Sequence, residues 1–152
     1  MTLEQKIQQD LKEAMKSGDR FKVDTLRGLI AQIKDERIKL RPKELEEKDV
    51  LAVLQRAVKR RKEAISLYQQ GNRQDLVDKE QKELEIIQQY LPEQMSKDEV
   101  LKLIEQAIAE VQAQSIKDMG KVMGSVMKKV QGRADGKEVQ QLVRERLTQL
   151  SE

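Results

Sequence analysis

Two residue types are missing altogether, and each absence closes off a body of chemistry. The 152-residue chain has no cysteine, which excludes disulfide staples, thiolate zinc sites, iron–sulfur clusters and cysteine nucleophiles, and suits a reducing compartment. It has no histidine, so the usual general base near neutral pH and the commonest metal ligand are both lacking. Aromatic residues amount to 2%, one Phe and two Tyr with no Trp, too few for a platform on which bases stack. No apolar run approaches the ~20 residues that span a bilayer. The opening MTLEQKIQQD has neither the basic lead nor the apolar core of an export signal. These absences predict a cytoplasmic protein without a membrane span, a metal or a cofactor.

What is present is charge. Lys, Arg, Asp and Glu make up 38% of the chain, the same share as apolar residues, and the apolar residues recur with helical spacing. That pattern predicts amphipathic helices rather than disorder. The net charge of +3, from 30 basic and 27 acidic residues, does not by itself select a nucleic-acid partner. A chain of this length buries roughly 70% of the surface its unfolded form exposes and needs no staples.

Seven helices can be drawn, giving an all-α fold. A bundle of about four helices fills residues 1–93, and a smaller three-helix subdomain fills 94–152. The first helix runs over 3–17, opened by a Thr2/Gln5 capping box and closed by Gly18. Asp19 opens the second, to about Leu40 before Pro42. The third runs from about Asp49 to Gln70, and Asn72 is placed to cap the fourth. Pro92, in YLPEQMS, breaks the chain, and Ser96 with Glu99 opens the fifth helix, over 97–113. The sixth and seventh are expected over 116–130 and 136–150.

Positive charge concentrates in the late segment SIKDMGKVMGSVMKKVQGRADGKEV. Within residues 115–137, Lys117, Lys121, Lys128, Lys129, Arg133 and Lys137 face only Asp118 and Asp135. Gly120 and Gly124 lie four apart and share one helix face. Each costs roughly 1 kcal/mol relative to alanine inside a helix. Two readings explain the pair: another helix packs closely on it, or a nucleic-acid backbone approaches it, framed by Lys117, Lys121 and Lys128. Met119, Met123 and Met127 share a second spacing of four. They suit an adaptable partner stripe, but a subdomain this small needs them in its core. In GRADG, Gly132 suits a helix C′ position, and Asp135 with Glu138 suits an N-cap and its reciprocal partner before Gly136. Arg133 and Lys137 then remain as phosphate contacts beside a helix N-terminus, where the Asp135 carboxylate competes for the same donors.

Two other basic runs stand out. Lys59 to Lys62 wraps the whole circumference of a helix, so it forms no single patch, and Arg61 falls on the apolar stripe as a snorkelling or paired residue. Lys34 to Lys43, with Arg37, Lys39 and Arg41, is a second basic candidate near Pro42. No phosphate-binding loop, dinucleotide fingerprint or nucleophile elbow is present. Carboxylates alternate with Lys and Arg at surface spacing, which reads as solvated ion pairs. No catalytic residue is assigned.

KDMGKVMGSVMKKVQGRADGKEVQQLVRERL, with KELEIIQQYLPEQMS and RQDLVDKE before it, resembles the YqeY family over essentially the whole chain. The module is also similar to the C-terminal tail domain of the GatB component of the bacterial Asp/Glu-tRNA amidotransferase and to an appendix of some glutaminyl-tRNA synthetases. The resemblance implies a bacterial translation protein with an all-helical fold that engages tRNA away from any chemistry. The amidotransferase's catalytic parts have no counterpart in this length. Three functions follow as expectations: a freestanding tRNA-binding helper, an adaptor docking on an amidotransferase or aminoacyl-tRNA synthetase, or a carbon–nitrogen ligase component using glutamine.

Overall fold

The computed structural model describes Met1 to Ser151, and every regular element among these residues is helical. Local side-chain chemistry sets most of the ends. Helix α1 (Leu3–Ser17) opens on a closed capping box, Thr2 Oγ1 accepting from Gln5 N at 3.1 Å while Thr2 N donates to Gln5 Oε1 at 3.0 Å. It stops at Gly18, whose φ of +75° few other residues adopt cheaply. Helix α2 (Arg20–Leu40) follows at once, because the Asp19 carboxylate accepts from Lys22 N at 3.2 Å.

Helix α3 (Glu47–Gln70) starts earlier than the expected Asp49. Asp49 instead sits in the first turn, its carboxylate accepting from Glu46 N at 2.8 Å. Asn72 does not cap helix α4 (Gln74–Gln88). Its φ of +55° places it in the left-handed region, so it turns the chain after Gly71, and Arg73 takes the cap position. Helix α5 (Lys97–Val111) ends short of the expected residue 113, because Gln112 is also left-handed at +55°. A single 3-10 turn (Ile116–Asp118) then leads into α6 (Met119–Val130), and α7 (Gly136–Leu150) closes the described chain.

The chain divides into two compact units, Met1–Leu91 and Pro92 onward. In the first, α1 packs on α2 and α3 on α4, with α2 also against α3 and α4. Ile7, Leu26, Leu29, Ile33, Leu54 and Ile87 are fully buried at the centre, each worth about 1.5–3 kcal/mol relative to exposure. Few aromatics means that aliphatic stripes supply nearly all of this burial. Polar ties dress the edges. Arg61 Nε donates to Glu83 Oε2 at 3.1 Å and its Nη1 to the Ala57 carbonyl at 3.1 Å, so this stripe arginine is paired. Arg37 clasps both oxygens of Glu4, at 2.6 and 2.9 Å.

In the second unit α5, α6 and α7 close on Val100, Ile104, Ala107, Val122, Val126, Val130, Val139, Val143 and Leu147. Arg146 on α7 pairs with Glu105 on α5.

One tie in the first unit has a pH signature. The buried Tyr90 hydroxyl donates to Asp10 Oδ2 at 2.6 Å, and Lys6 Nζ donates to Asp10 Oδ1 at 3.0 Å. Burial pushes the Asp10 carboxyl up, but the bonds from Tyr90 and Lys6, with the charges of Lys6 and Lys22, outweigh it and hold the group below its ordinary 3.8. Burial, and then the Asp10 carboxylate, push the Tyr90 phenol above its ordinary 10.0. The lowered carboxyl stabilises the fold above its unfolded value and loses that contribution as pH falls through its folded value. The raised phenol stabilises the protonated fold and loses that contribution as pH rises past the unfolded value. Tyr90→Phe is expected to cost about 1.5–3 kcal/mol at neutral pH, the range for a bond to a charged group. It should also flatten the acid limb of the stability curve below about pH 4. Denaturant unfolding across pH checks both; an unchanged acid limb would show that Asp10 owes nothing to Tyr90.

Candidate functional site

The late basic segment is built around α6, and the core fixes which way that helix faces. Val122, Val126 and Val130 are fully buried, and the half-buried Met119 and Met123 pack against the same core. The opposite line of the segment carries Lys117, Gly120, Lys121, Gly124, Met127 and Lys128, all exposed. A Cβ added at Gly120 or Gly124 would meet nothing within 4 Å, and neither residue has a positive φ. Neither internal packing nor backbone geometry therefore requires a glycine at either position. The close helix packing expected of the pair is not found.

The six cations part company here. Lys117, Lys121, Lys128 and Lys137 are exposed, and among the described residues their side chains make no hydrogen bond or ion pair. Lys121 lies close enough to Asp118 to add to its stabilisation. The carboxylate accepts from Gln114 N at 2.8 Å and Ser115 N at 3.3 Å, and those bonds hold it below its ordinary 3.8, with the Lys121 charge contributing less. Lys129 turns the other way. Its Nζ donates to Glu110 Oε1 on α5 at 2.8 Å, which holds that carboxyl down, and Ser125 Oγ reaches Glu110 Oε2 at 3.4 Å.

Arg133 is a strap. Its Nε donates to the Glu93 carbonyl at 2.8 Å, its own carbonyl accepts from Met95 N at 2.7 Å, and Gln94 Nε2 reaches the Gly132 carbonyl at 3.2 Å. Residues 93–95 are thereby laid along the turn between α6 and α7. That turn needs consecutive left-handed residues, Gln131 at φ +46° and Gly132 at +79°, which explains Gly132 and the bend. The phosphate role expected of Lys129 and Arg133 meets prior engagements at both. Lys137 stands on α7, and Asp135 already occupies that helix N-terminus by accepting from Lys137 N at 3.1 Å rather than from Glu138. At the half-buried Gly136 an added Cβ would lie 3.6 Å from Met127 Cε.

Met127 departs from the core reading. It is 38% exposed, and Ile116 at the start of the segment is 45% exposed, so two apolar side chains flank the glycine strip. Periodicity alone could not find Ile116, because it precedes the α-helix in the 3-10 turn. Among the described residues no group of three or more acidic side chains could hold a metal, and no helix is long and apolar enough to cross a membrane.

A family profile described as Yqey-like protein matches residues 4–147. The chain is 39% identical over 85 residues to "Altered inheritance of mitochondria protein 41, mitochondrial" of Eremothecium gossypii, covering 56% of this chain and 46% of that protein. It is 35% identical over 85 residues to the protein of that name from Vanderwaltozyma polyspora, with the same coverage. The likeness to the Pyrenophora tritici-repentis protein is longer and weaker, 29% over 131 residues, covering 85% of this chain and 71% of that one. The chain thus spans about half the length of the first two relatives. These names correct the expectation of a bacterial, cytoplasmic protein, because the relatives are fungal and named as mitochondrial. The physical reason is plain: a cysteine-free, charge-rich helical composition suits one reducing aqueous compartment as well as another.

The bare glycines give a direct prediction. Gly120→Ala/Gly124→Ala is expected to stabilise the C-terminal unit by about 1 kcal/mol per site, since alanine meets open space and restores helix propensity. Urea unfolding measures the gain. A loss of stability would show that something covers this face.

Proposed function

Because the chain belongs to the Yqey-like protein family, we propose that it is a tRNA-binding accessory protein that holds the RNA backbone on the exposed face of α6. One observation carries the reading: a row of exposed cations, Lys117, Lys121 and Lys128, whose side chains make no hydrogen bond or ion pair among the described residues, runs beside two glycines that the described fold does not require. Lysines neutralise phosphates and release counterions, giving affinity without sequence readout. The missing Cβ atoms let a backbone come close to the helix axis. With three aromatic residues in the whole chain, recognition falls on the shape and backbone of folded RNA rather than on splayed bases.

A second reading, a helical adaptor for an amidotransferase or synthetase, is favoured by Met127 and Ile116, which offer apolar contact at the two ends of the strip. The charge pattern argues for RNA first, since every charged side chain on that line is basic. A glutamine-using ligase component draws no support from the carboxylates, several of which are tied up in surface ion pairs such as Glu4–Arg37 and Glu36–Arg56.

Binding of bulk folded tRNA across a salt series tests the proposal. Lys117→Gln/Lys121→Gln/Lys128→Gln is expected to weaken binding and to reduce the salt slope by about 2–3, on the order of one per phosphate contact. Arg133→Ala should lower stability and leave the slope alone, because its guanidinium holds the Glu93 carbonyl. A triple variant that binds like the unaltered protein, or equal affinity for heparin and tRNA, would sink the proposal.

A further inference from the structure

Helix α2 carries a second device of the same kind. Arg20, Arg27, Lys34 and Arg41 recur at intervals of seven residues along it and its C-cap. Seven residues advance an α-helix about 10 Å and return it to within about 20° of the same line. The four cations therefore form one row about 30 Å long. All four are exposed, and among the described residues no side chain of the row makes a hydrogen bond or ion pair. The neighbouring arginine, Arg37, is turned aside to Glu4.

Small residues lie beside the row. Gly28, in the middle of this 21-residue helix, faces open space, with nothing within 4 Å of an added Cβ and no positive φ, and Ala31 is exposed one turn on. An interior glycine costs about 1 kcal/mol, and the fold gives no reason for this one. At one end the row borders a surface hollow of about 400 Å³ between α1 and α2, walled by Met15, Gly18, Arg20, Asp24 and Arg27. Two exposed acids share this face, Asp24 one turn before Gly28 and Asp35 one turn after Ala31, so carboxylates bound the small residues at both ends.

We infer that the outer face of α2 is a second site for a nucleic-acid backbone, formed by Arg20, Arg27, Lys34 and Arg41 beside Gly28 and Ala31. Spacing excludes a small anion as the occupant. A free phosphate touches one of these cations at a time, whereas an extended polyanion meets all four. An acidic protein partner fits less well, because stable protein docking needs a buried apolar centre. Beside the row α2 offers only Ala31 and the exposed Ile38. Lys121 and Lys128 on α6 repeat the seven-residue spacing, so each unit presents a cation row beside small residues. The inference rests on the reading of the chain as an RNA-binding protein and adds a face to it.

The experiment uses the full chain and folded tRNA, with Arg20→Gln/Arg27→Gln/Lys34→Gln compared with the α6 lysine triple. Glutamine keeps helix propensity close to that of Arg and Lys, and unchanged melting confirms folding. The α2 triple is expected to lose about tenfold or more in affinity and to show a salt slope smaller by about 2–3. If it keeps affinity and slope while the α6 triple loses both, the α2 site is refuted and the proposed function stands. Loss in the α2 triple alone would uphold the α2 site and move the RNA face away from α6. Failure of the unaltered protein to bind tRNA overturns both.

Discussion

The burial of three valines governs the C-terminal unit. Val122, Val126 and Val130 are each fully buried, and their spacing of four fixes how α6 is rotated about its own axis. Once that row is inward, Lys117, Gly120, Lys121, Gly124 and Lys128 have nowhere to point but outward. The core therefore determines the exposed face as firmly as it determines the fold. The same logic holds on α2, where buried Val23, Leu26, Leu29 and Ile33 leave the opposite face to Arg20, Arg27 and Lys34, the small residues Gly28 and Ala31, and the acids Asp24 and Asp35.

The basic residues divide into two populations that net charge conceals. Arg37, Arg56, Arg61, Lys129, Arg133 and Arg146 are engaged with carboxylates or backbone carbonyls and hold elements in place. Most of these ties are solvent-exposed and individually worth under about 1 kcal/mol. Arg61–Glu83 is the exception in kind, with both side chains under a fifth exposed. The second population, Lys117, Lys121 and Lys128 at α6 and Arg20, Arg27, Lys34 and Arg41 along α2, makes no ion pair among the described residues. Net charge, at +3 for the whole molecule, therefore says little about where unengaged positive charge projects.

Much of the fold is legible in the sequence because short-range chemistry sets it. Thr2 with Gln5, Gly18, Asp19, and Ser96 accepting from Glu99 N at 3.2 Å all act within four residues of themselves. Local reasoning erred where one residue can serve two turns. Asn72 suits a cap and a left-handed turn equally, and the tight reversal after α3 takes the second. The site was harder to read, for a different reason. Six cations in one segment look alike until their distant partners are known. Glu110 lies 19 residues from Lys129, and the Glu93 carbonyl 40 from Arg133. Only the third dimension sorts Lys117, Lys121 and Lys128 from those two. The glycine pair was visible as an oddity, but whether a helix covered it was not.

The central claim is that Gly120 and Gly124 are kept bare for a ligand rather than for the fold. The most direct measurement is the affinity of the Gly120→Ala/Gly124→Ala variant for folded tRNA, taken across a salt series. Two methyl groups on that strip should weaken binding while the salt slope stays the same, because every lysine remains. Undiminished affinity in a more stable protein would contradict the claim and leave the glycines without a role in RNA contact.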